Sequence, residues 1–421
     1  MLELAFSRTN LLRCISYREL EADASLKDPA NRELAGAATA KLVAARTVFS
    51  EPMRAIQIRK KTAYQFPNIY QALTCRLISR NIKRNYKIAP QSRNSIVRNL
   101  SGVLQESYPI KIQRADIQSF FEEIDRDKLL DKILNDGKCS HHTALMLYDF
   151  FRSLKSQGIK GVPRGLGISS TLAELVLADF DRAMQGHPEV FLYCRFVDDI
   201  LISMSDKATI ATAVKEKLDD LPPPLKIHKS GQKYGNITVK RTSTVPGHTH
   251  SFEYLGYSFR VGETVHPTRQ ILGNLRRHVS IEIADNKIEK IKARVISSFI
   301  SFISSKHTPD DFSLLRDRIC ALTGNYYICD PFTGVKIKTG IFYNYAEKNE
   351  FNKCHLHSLD ALLRGIIFSR KHRLSVRVAK FLGAHERFLL KGYTFKDGFH
   401  KKRFYTFSYR RLAEIKECWE K

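Results

Sequence analysis

The chain has no apolar run approaching the ~20 residues needed to cross a bilayer. Its opening Met-Leu-Glu-Leu-Ala-Phe lacks a basic segment followed by a long apolar core. These absences argue against a spanning helix and a secretory leader, so a soluble, cytoplasmic protein is expected. Cys-x-x-Cys pairs are missing as well, although the 421 residues include eight cysteines. That scatter suits reduced thiols rather than a disulfide framework. Cys354-His355-x-His357 and His248-x-His250 do not have the paired spacing of a structural zinc site. No internal repeat or low-complexity linker is present. Acid is scarce: 43 Asp+Glu face 69 Lys+Arg, leaving a formal charge of +26. Solubility does not require so one-sided a balance, whereas binding a phosphate backbone does, because each neutralised phosphate releases counterions. A nucleic-acid partner follows. Hydrophobic residues make up 43%, which excludes a disordered chain and allows roughly two to four domains.

Residues 1–55 read as helical and mixed in charge. From Ile56 the chain turns basic, with Arg59-Lys60-Lys61 and then Arg76, Arg80, Lys83, Arg84, Lys87, Arg93 and Arg98. The segment 91–100 has helical apolar spacing, which makes Arg93 and Arg98 candidates for triphosphate or template contact. Ile110 to Asp116 reads as a short strand ending in a carboxylate. Ser119-x-x-Glu122 then predicts a capping box opening a helix, with Phe120, Ile124, Leu130, Ile133 and Leu134 on its apolar face. A turn follows, Lys160-Gly-Val-Pro163-Arg164-Gly165-Leu-Gly167-Ile-Ser169-Ser170, whose glycines let backbone approach a ligand. Thr171-x-x-Glu174 predicts a second capping box, with Leu172, Leu175, Val176 and Phe180 at helical spacing.

Phe191 to Ile202 is β-prone and apolar except for Asp198-Asp199, which reads as a hairpin tip. Alone, such a tip is a solvated turn. Lys229 and Lys233 lie shortly beyond it. Phe252-Glu-Tyr254-Leu255-Gly256-Tyr257-Ser-Phe259 reads as an aromatic strand-turn, and Ile288, Ile291, Val295, Phe299 and Phe302 as the core face of a long helix. From Arg370 to Arg411, 13 Lys+Arg outnumber Glu386 and Asp397, and Tyr393, Phe395, Phe399, Phe404, Tyr405, Phe407 and Tyr409 interleave with them. Bases stack on such rings while cations hold phosphates. The alternation Tyr405/Phe407/Tyr409 equally fits the buried face of a strand.

Asp116, Asp198 and Asp199 together suit one chemistry. Phosphoryl transfer to a 3′-hydroxyl uses two divalent metals about 3.5–4 Å apart. Mg²⁺ accepts carboxylates and needs few of them, because substrate phosphates and water complete its octahedron.

With these residues in order, the chain resembles a reverse transcriptase. Asp116-Ile-Gln-Ser-Phe120-Phe121 resembles that family's first catalytic motif, and Pro163-Arg-Gly165-Leu-Gly-Ile-Ser169 its Pro-Gln-Gly loop. Tyr193-x-Arg-Phe-Val-Asp-Asp resembles its third motif, Lys229 the lysine of its fourth, and Tyr254-Leu-Gly256-Tyr257 its primer-grip turn. The resemblance implies that Asp116 and Asp198 hold two Mg²⁺ ions, with Ile117 beside them at the metal and nucleotide and Mn²⁺ as a substitute. Asp199 assists electrostatically or as an outer ligand of the metals. Phe121 is implied as the gate against a ribose 2′-OH, and Pro163, Arg164 and Gly165 as the bed of the incoming nucleotide. Lys229, with Lys233 as rival, neutralises departing pyrophosphate; Arg93 and Arg98 contact the triphosphate; Leu255, Gly256 and Tyr257 grip the primer. Arg164 stands where relatives carry Gln, Ser170 where Pro is usual, and Val197 where Ala is common. Leu322-Thr-Gly-Asn-Tyr-Tyr-Ile328 and Gly340-Ile-Phe-Tyr-Asn344-Tyr resemble bacterial defence-associated reverse transcriptases of the abortive-infection and antiphage groups, two-polymerase systems among them.

The fold so implied is α+β: a right-hand polymerase with an antiparallel palm sheet, fingers, and a helical thumb and C-terminal region. Its expected divisions are an N-terminal helical extension (1–55), fingers (56–109), palm (110–262), thumb (263–350) and a basic nucleic-acid-binding region (351–421). The expected activity is RNA-directed DNA synthesis from dNTPs on an associated noncoding RNA, in antiphage defence. Implied partners are that RNA, the DNA product and a second reverse transcriptase, in a homo- or hetero-oligomer. Two alternatives stay open: template-independent or protein-primed DNA synthesis by the same site, and an inactive RNA-binding scaffold.

Overall fold

The computed structural model describes residues 3–58, 61–229, 235–240, 242–243, 249–262, 264–265, 276–329, 336–349, 354–371 and 373–420. Arg59, Lys60, Lys233 and His248, singled out above, lie outside them. The architecture is mixed α and β with mainly antiparallel sheets, and the chain divides into two compact units.

The first unit comprises Met1–Val103, Tyr108–Arg241 and Cys329–Val335. It opens with α1 (Arg8–Leu12), α2 (Tyr17–Ala22) and α3 (Pro29–Ala44), then the hairpin β1 (Arg54–Ile58) and β2 (Lys61–Gln65). Next come α4 (Ile69–Asn85), α5 (Arg93–Gln105), β3 (Ile110–Asp116), α6 (Arg126–Asp136), α7 (His141–Ser156) and α8 (Gly167–Gln185). The unit closes with β4 (Val190–Phe196), β5 (Asp199–Ser205), α9 (Ala208–Asp219) and β6 (Gly235–Val239). Helix starts are set locally: the side chains of Asp28, Asn68, Asp125 and Ser140 cap α3, α4, α6 and α7, each worth about 1 kcal/mol. The four-stranded antiparallel sheet runs β4-β5-β3-β6. Ala115, Ile200, Ile202 and Met204 bury one of its faces in a core with Leu73, Leu77, Phe150, Leu172 and Leu175 from α4, α7 and α8. Since side chains alternate across a strand, Arg114, Asp116 and Asp199 stand on the other face.

Both predicted capping boxes are overturned. Ser119 has φ 41, and the helix begins only at Arg126, capped by Asp125. Its buried positions are Leu129 and Ile133, while Leu134 is exposed. Thr171 and Glu174 lie inside α8, which starts at Gly167. In each case a tertiary partner claims the acid that local sequence assigned to a cap.

The second unit comprises Leu104–Ser107, Thr242–Ile328 and Lys336–Lys421. Its strands are β7 (Thr242–Ser243), β8 (Thr249–Tyr254), β9 (Tyr257–Gly262), β10 (Thr264–Val265) and β11 (Val279–Ile283). These are followed by α10 (Asp285–Ile303), α11 (Pro309–Thr323), β12 (Asn325–Cys329), β13 (Lys336–Gly340) and α12 (His355–Phe368). Then come α13 (Arg373–Val378), α14 (Ala384–Lys391), α15 (Phe395–His400), β14 (Phe404–Tyr405) and α16 (Tyr409–Glu420). Ile288, Val295, Phe299 and Phe302 of α10 are buried as the periodicity requires, in a core with Leu315, Ile319, Leu359 and Leu363. Tyr405 and Phe407 are half-buried, but Tyr409 is exposed at the start of α16, so the alternation does not run on as a strand.

Candidate active site

The β4–β5 hairpin turns through Val197 and Asp198, because Phe196 pairs with Asp199. Val197 has φ 61, a conformation costing about 1–3 kcal/mol for a residue that is not glycine, and more awkward for a β-branched one. Across the next ladder Asp116 pairs with Asp199. Directly opposed residues of an antiparallel pair share a face, so the last residue of β3 and the first of β5 present their carboxylates together. Ile117 continues the contact: its N–H donates to the Asp198 carbonyl at 3.0 Å, and it bridges Ile227. On the other flank the His228 N–H donates to the Asp116 carbonyl at 2.8 Å and the Gln118 N–H to the Lys226 carbonyl at 2.9 Å. Asp116 and the adjacent pair Asp198-Asp199, distant from it in sequence, therefore meet at one sheet end. Arg114, two residues back on the same face, approaches Asp199 Oδ1 at 3.6 Å.

A buried guanidinium holds the strained tip from behind. The Arg195 side chain is only 4% exposed. It donates to Asp181 (Nε–Oδ1 2.9 Å, Nη2–Oδ2 2.6 Å), to Glu174 (Nη2–Oε2 2.7 Å) and, through Nη1 at 2.9 Å, to the Val197 carbonyl. Tyr193 Oη adds a bond to Asp181 at 2.6 Å. Burial pulls the Arg195 pKa down, but its bonds to Asp181 and the charges of Asp181 and Glu174 more than reverse this. Burial, then the Asp181 charge, holds the Tyr193 phenol well above its ordinary value. Periodicity does not reveal this network; an Arg inside an apolar strand is the one signal in the sequence that a buried acid faces it.

The 161–165 loop is fixed by close backbone approach. A Cβ on Gly161 would fall 2.1 Å from the Phe121 carbonyl oxygen, and one on Gly165, at φ 94, 2.9 Å from that of Tyr64. The Val162 N–H donates to Phe121 O at 2.8 Å, the Tyr64 N–H to Arg164 O at 2.8 Å, and Ser169 Oγ to Pro163 O at 2.7 Å. Arg164 pairs with Glu122, Nη2 lying 2.9 Å from Oε2, and its guanidinium lies 5.2 Å over the Phe121 ring. Burial raises the Glu122 pKa, but the bond and charge of Arg164 outweigh it and lower the pKa overall. Arg164 is raised by its bond to Glu122, with a further contribution from the charge of Asp198, so this loop lies within electrostatic reach of the aspartate tip.

The remaining predicted residues are placed as follows. Lys229 Nζ is 3.2 Å from Asp219 Oδ1, with both side chains largely exposed. Arg93 is the first residue of α5, and Arg98 is exposed on the same helix. In the second unit, Leu255 and Gly256 both have positive φ, 48 and 78, the geometry of a type I′ hairpin turn between Tyr254 and Tyr257. Tyr257 is fully buried there, and its hydroxyl donates to Asn344 O at 3.4 Å.

Residues 58–259 match the family described as Reverse transcriptase (RNA-dependent DNA polymerase). A comparison with curated proteins gives no significant match. The chain thus carries a reverse transcriptase domain, and such a domain implies an enzyme of the nucleotidyltransferase class, an RNA-directed DNA polymerase. The matched span takes in Asp116, Phe121, the 161–165 loop, Asp198, Asp199, Lys229 and the Leu255-Gly256 turn. Among the described residues, no helix is long and apolar enough to cross a membrane.

Proposed function

We propose that the chain adds dNTPs to a 3′-hydroxyl on an RNA template at the site formed by Asp116, Asp198 and Asp199. The observation that carries this reading is the register placing Asp116 opposite Asp199, with Ile117 bonded to Asp198. The donors fit Mg²⁺ with Mn²⁺ as a substitute: they are hard carboxylate oxygens gathered at one end of the sheet. Among the described residues no group of three or more His, Cys, Asp or Glu is placed to hold a metal by itself, so substrate phosphates and water would have to complete the coordination. When bound, such ions supply electrostatic stabilisation of the attacking and leaving oxygens.

Asp116, Asp198 and the Ile117 carbonyl are assigned to hold them, while Asp199, facing Arg114, sets the local field. Phe121, stiffened by Arg164 against its ring, excludes a ribose 2′-OH by clash. Pro163, Arg164 and Gly165 bed the incoming nucleotide, and Arg93 and Arg98 meet its triphosphate. Lys229 neutralises the departing pyrophosphate, released from Asp219. Lys233 is its rival. Leu255, Gly256 and Tyr257 grip the primer through backbone, since the Tyr257 ring is buried. In this reading the divisions expected from sequence are fingers, palm, thumb and a basic C-terminal region. The test is Asp198→Ala with Asp199→Ala: dNTP incorporation must vanish, and its survival refutes the assigned site.

We further infer that the template is an associated noncoding RNA and the setting antiphage defence, alone or with a second reverse transcriptase. The support is the +26 charge and the resemblance carried by residues 322–328 and 340–345. A second reading, untemplated or protein-primed synthesis, is favoured by one observation: Arg164 is engaged by Glu122 and so withheld from template contact. Sequencing the product separates them, since only templated synthesis yields complementarity to the bound RNA.

A further inference from the structure

Three segments of the second unit, none within the matched span, converge on one small sheet. Its order is β13-β12-β14, and Asn325 ties its parts together. That side chain is fully buried. Its Nδ2 donates to the carbonyls of Gly398 (3.1 Å) and Arg403 (3.0 Å), and its Oδ1 accepts from the Phe342 N–H at 2.9 Å. Gly340 and Gly398 have no room for a Cβ, which would fall 2.3 Å from Gly324 O and 1.6 Å from Thr323 O. A buried amide with all these bonds made, in a frame of close backbone contacts, fixes what the sheet displays.

What it displays is a continuous row of rings. Tyr327 and Phe404 meet edge to face at 4.7 Å, and Phe404 and Tyr343 at 6.3 Å. Tyr327 is 40% exposed and Phe404 37%, so part of each ring is open to a ligand. Cations flank the row: Lys338 Nζ lies 5.4 Å over the Tyr343 ring and Lys402 Nζ 4.5 Å over its neighbour Phe342. Lys336 is exposed beside them. The nearby acid Asp397 is engaged by Arg403 at 3.0 Å and Lys401 at 3.3 Å.

We propose that this face is a binding platform for single-stranded nucleic acid, bases stacking on Tyr327 and Phe404 while Lys338 and Lys402 hold the flanking phosphates. Exposed rings with cations beside them match the two demands of an unpaired strand, a π-face for each base and positive charge along the backbone. A protein partner would call for mixed charge at the rim, and duplex offers no free base to stack.

The test uses the full-length chain with fluorescein-labelled 20-mers of oligo(U), oligo(dT) and a duplex, without divalent ions. Ultraviolet cross-linking followed by peptide mass spectrometry is expected to place adducts on Tyr327 or Phe404. Tyr327→Leu with Phe404→Leu is expected to weaken single-strand binding about tenfold, while Tyr327→Phe, which keeps the ring, retains it. Comparable oligo(U) and oligo(dT) affinities indicate stacking alone, and tighter oligo(U) binding adds a 2′-OH contact; either supports the platform. Adducts confined to other peptides, an unchanged affinity in the double variant, or tighter duplex binding overturns it. So does protection of both rings from hydroxyl-radical labelling before any oligonucleotide is added. Incorporation by the unaltered chain, measured in parallel, keeps a failed platform distinct from a failed polymerase assignment.

Discussion

The Ile117 N–H donates to the carbonyl of Asp198 at 3.0 Å, locking the end of one strand to the turn of another. The bond belongs to the backbone, so it fixes where the carboxylates stand whatever their charge. Substitutions of those acids therefore test chemistry more than folding.

Arg195 is where folding and chemistry are coupled. Arg195→Met leaves Glu174 and Asp181 without their cation and frees the Val197 carbonyl. Breaking a buried pair on one side costs about 3–5 kcal/mol, reduced here by the partial exposure of both acids. Denaturant titration should show a lower midpoint. In the fraction still folded, dNTP incorporation should fall as well; full activity there would mean that the tip does not need its clamp.

Val197 carries strain at φ 61. Glycine adopts that angle freely but loses more entropy on folding. With about 1–3 kcal/mol of strain removed and about 0.5–1 kcal/mol of added entropy cost, Val197→Gly should stabilise by about 1 kcal/mol. An unfolding midpoint below that of the parent would show that the turn is not strained.

Phe121 is the proposed gate. Phe121→Ala should raise ribonucleotide incorporation relative to deoxynucleotide at least tenfold, since a clash that selects against one substrate is relieved. Steady-state competition between dGTP and GTP reads the ratio; an unchanged ratio removes Phe121 from sugar selection.

The Arg164–Glu122 pair gives a pH signature. The Glu122 pKa is lowered in the folded chain from its ordinary 4.5. Its stabilisation is therefore present above about that pH and lost as pH falls through the folded value. Because Glu122 is well exposed, the pair is worth at most about 1 kcal/mol. Arg164→Gln should be slightly less stable than the parent at pH 7, and the difference should close as pH falls from 4.5 through the lowered folded value. A gap that persists in acid would point to lost packing on Phe121 instead.

How far the sequence alone reaches is seen in particular residues. Asp116 at a strand end and a hairpin near Asp198-Asp199 are legible, because apolar strands interrupted by acid leave few conformations. The turn itself lies one residue earlier than expected, at Val197-Asp198, and Asp199 opens β5. The Leu255-Gly256 turn is legible because a glycine breaks two alternating aromatic strands. Glu122 and Glu174 are not: each sits at the spacing of a capping box, and each is taken by an arginine distant in the chain, Arg164 or Arg195. A charged bond across the fold outweighs a cap worth about 1 kcal/mol. The row of Tyr327, Tyr343 and Phe404 is also beyond periodicity, since three separate segments build it around Asn325.

The most direct test of the central assignment is Asp116→Asn, assayed for dNTP extension of a primer on an RNA template with Mg²⁺. The substitution keeps size and backbone bonds, so circular dichroism should be unchanged. Extension should fall at least a hundredfold, the scale on which loss of a preorganised charge acts at a transition state. Extension near the parental rate, from a folded protein, would contradict the proposed site.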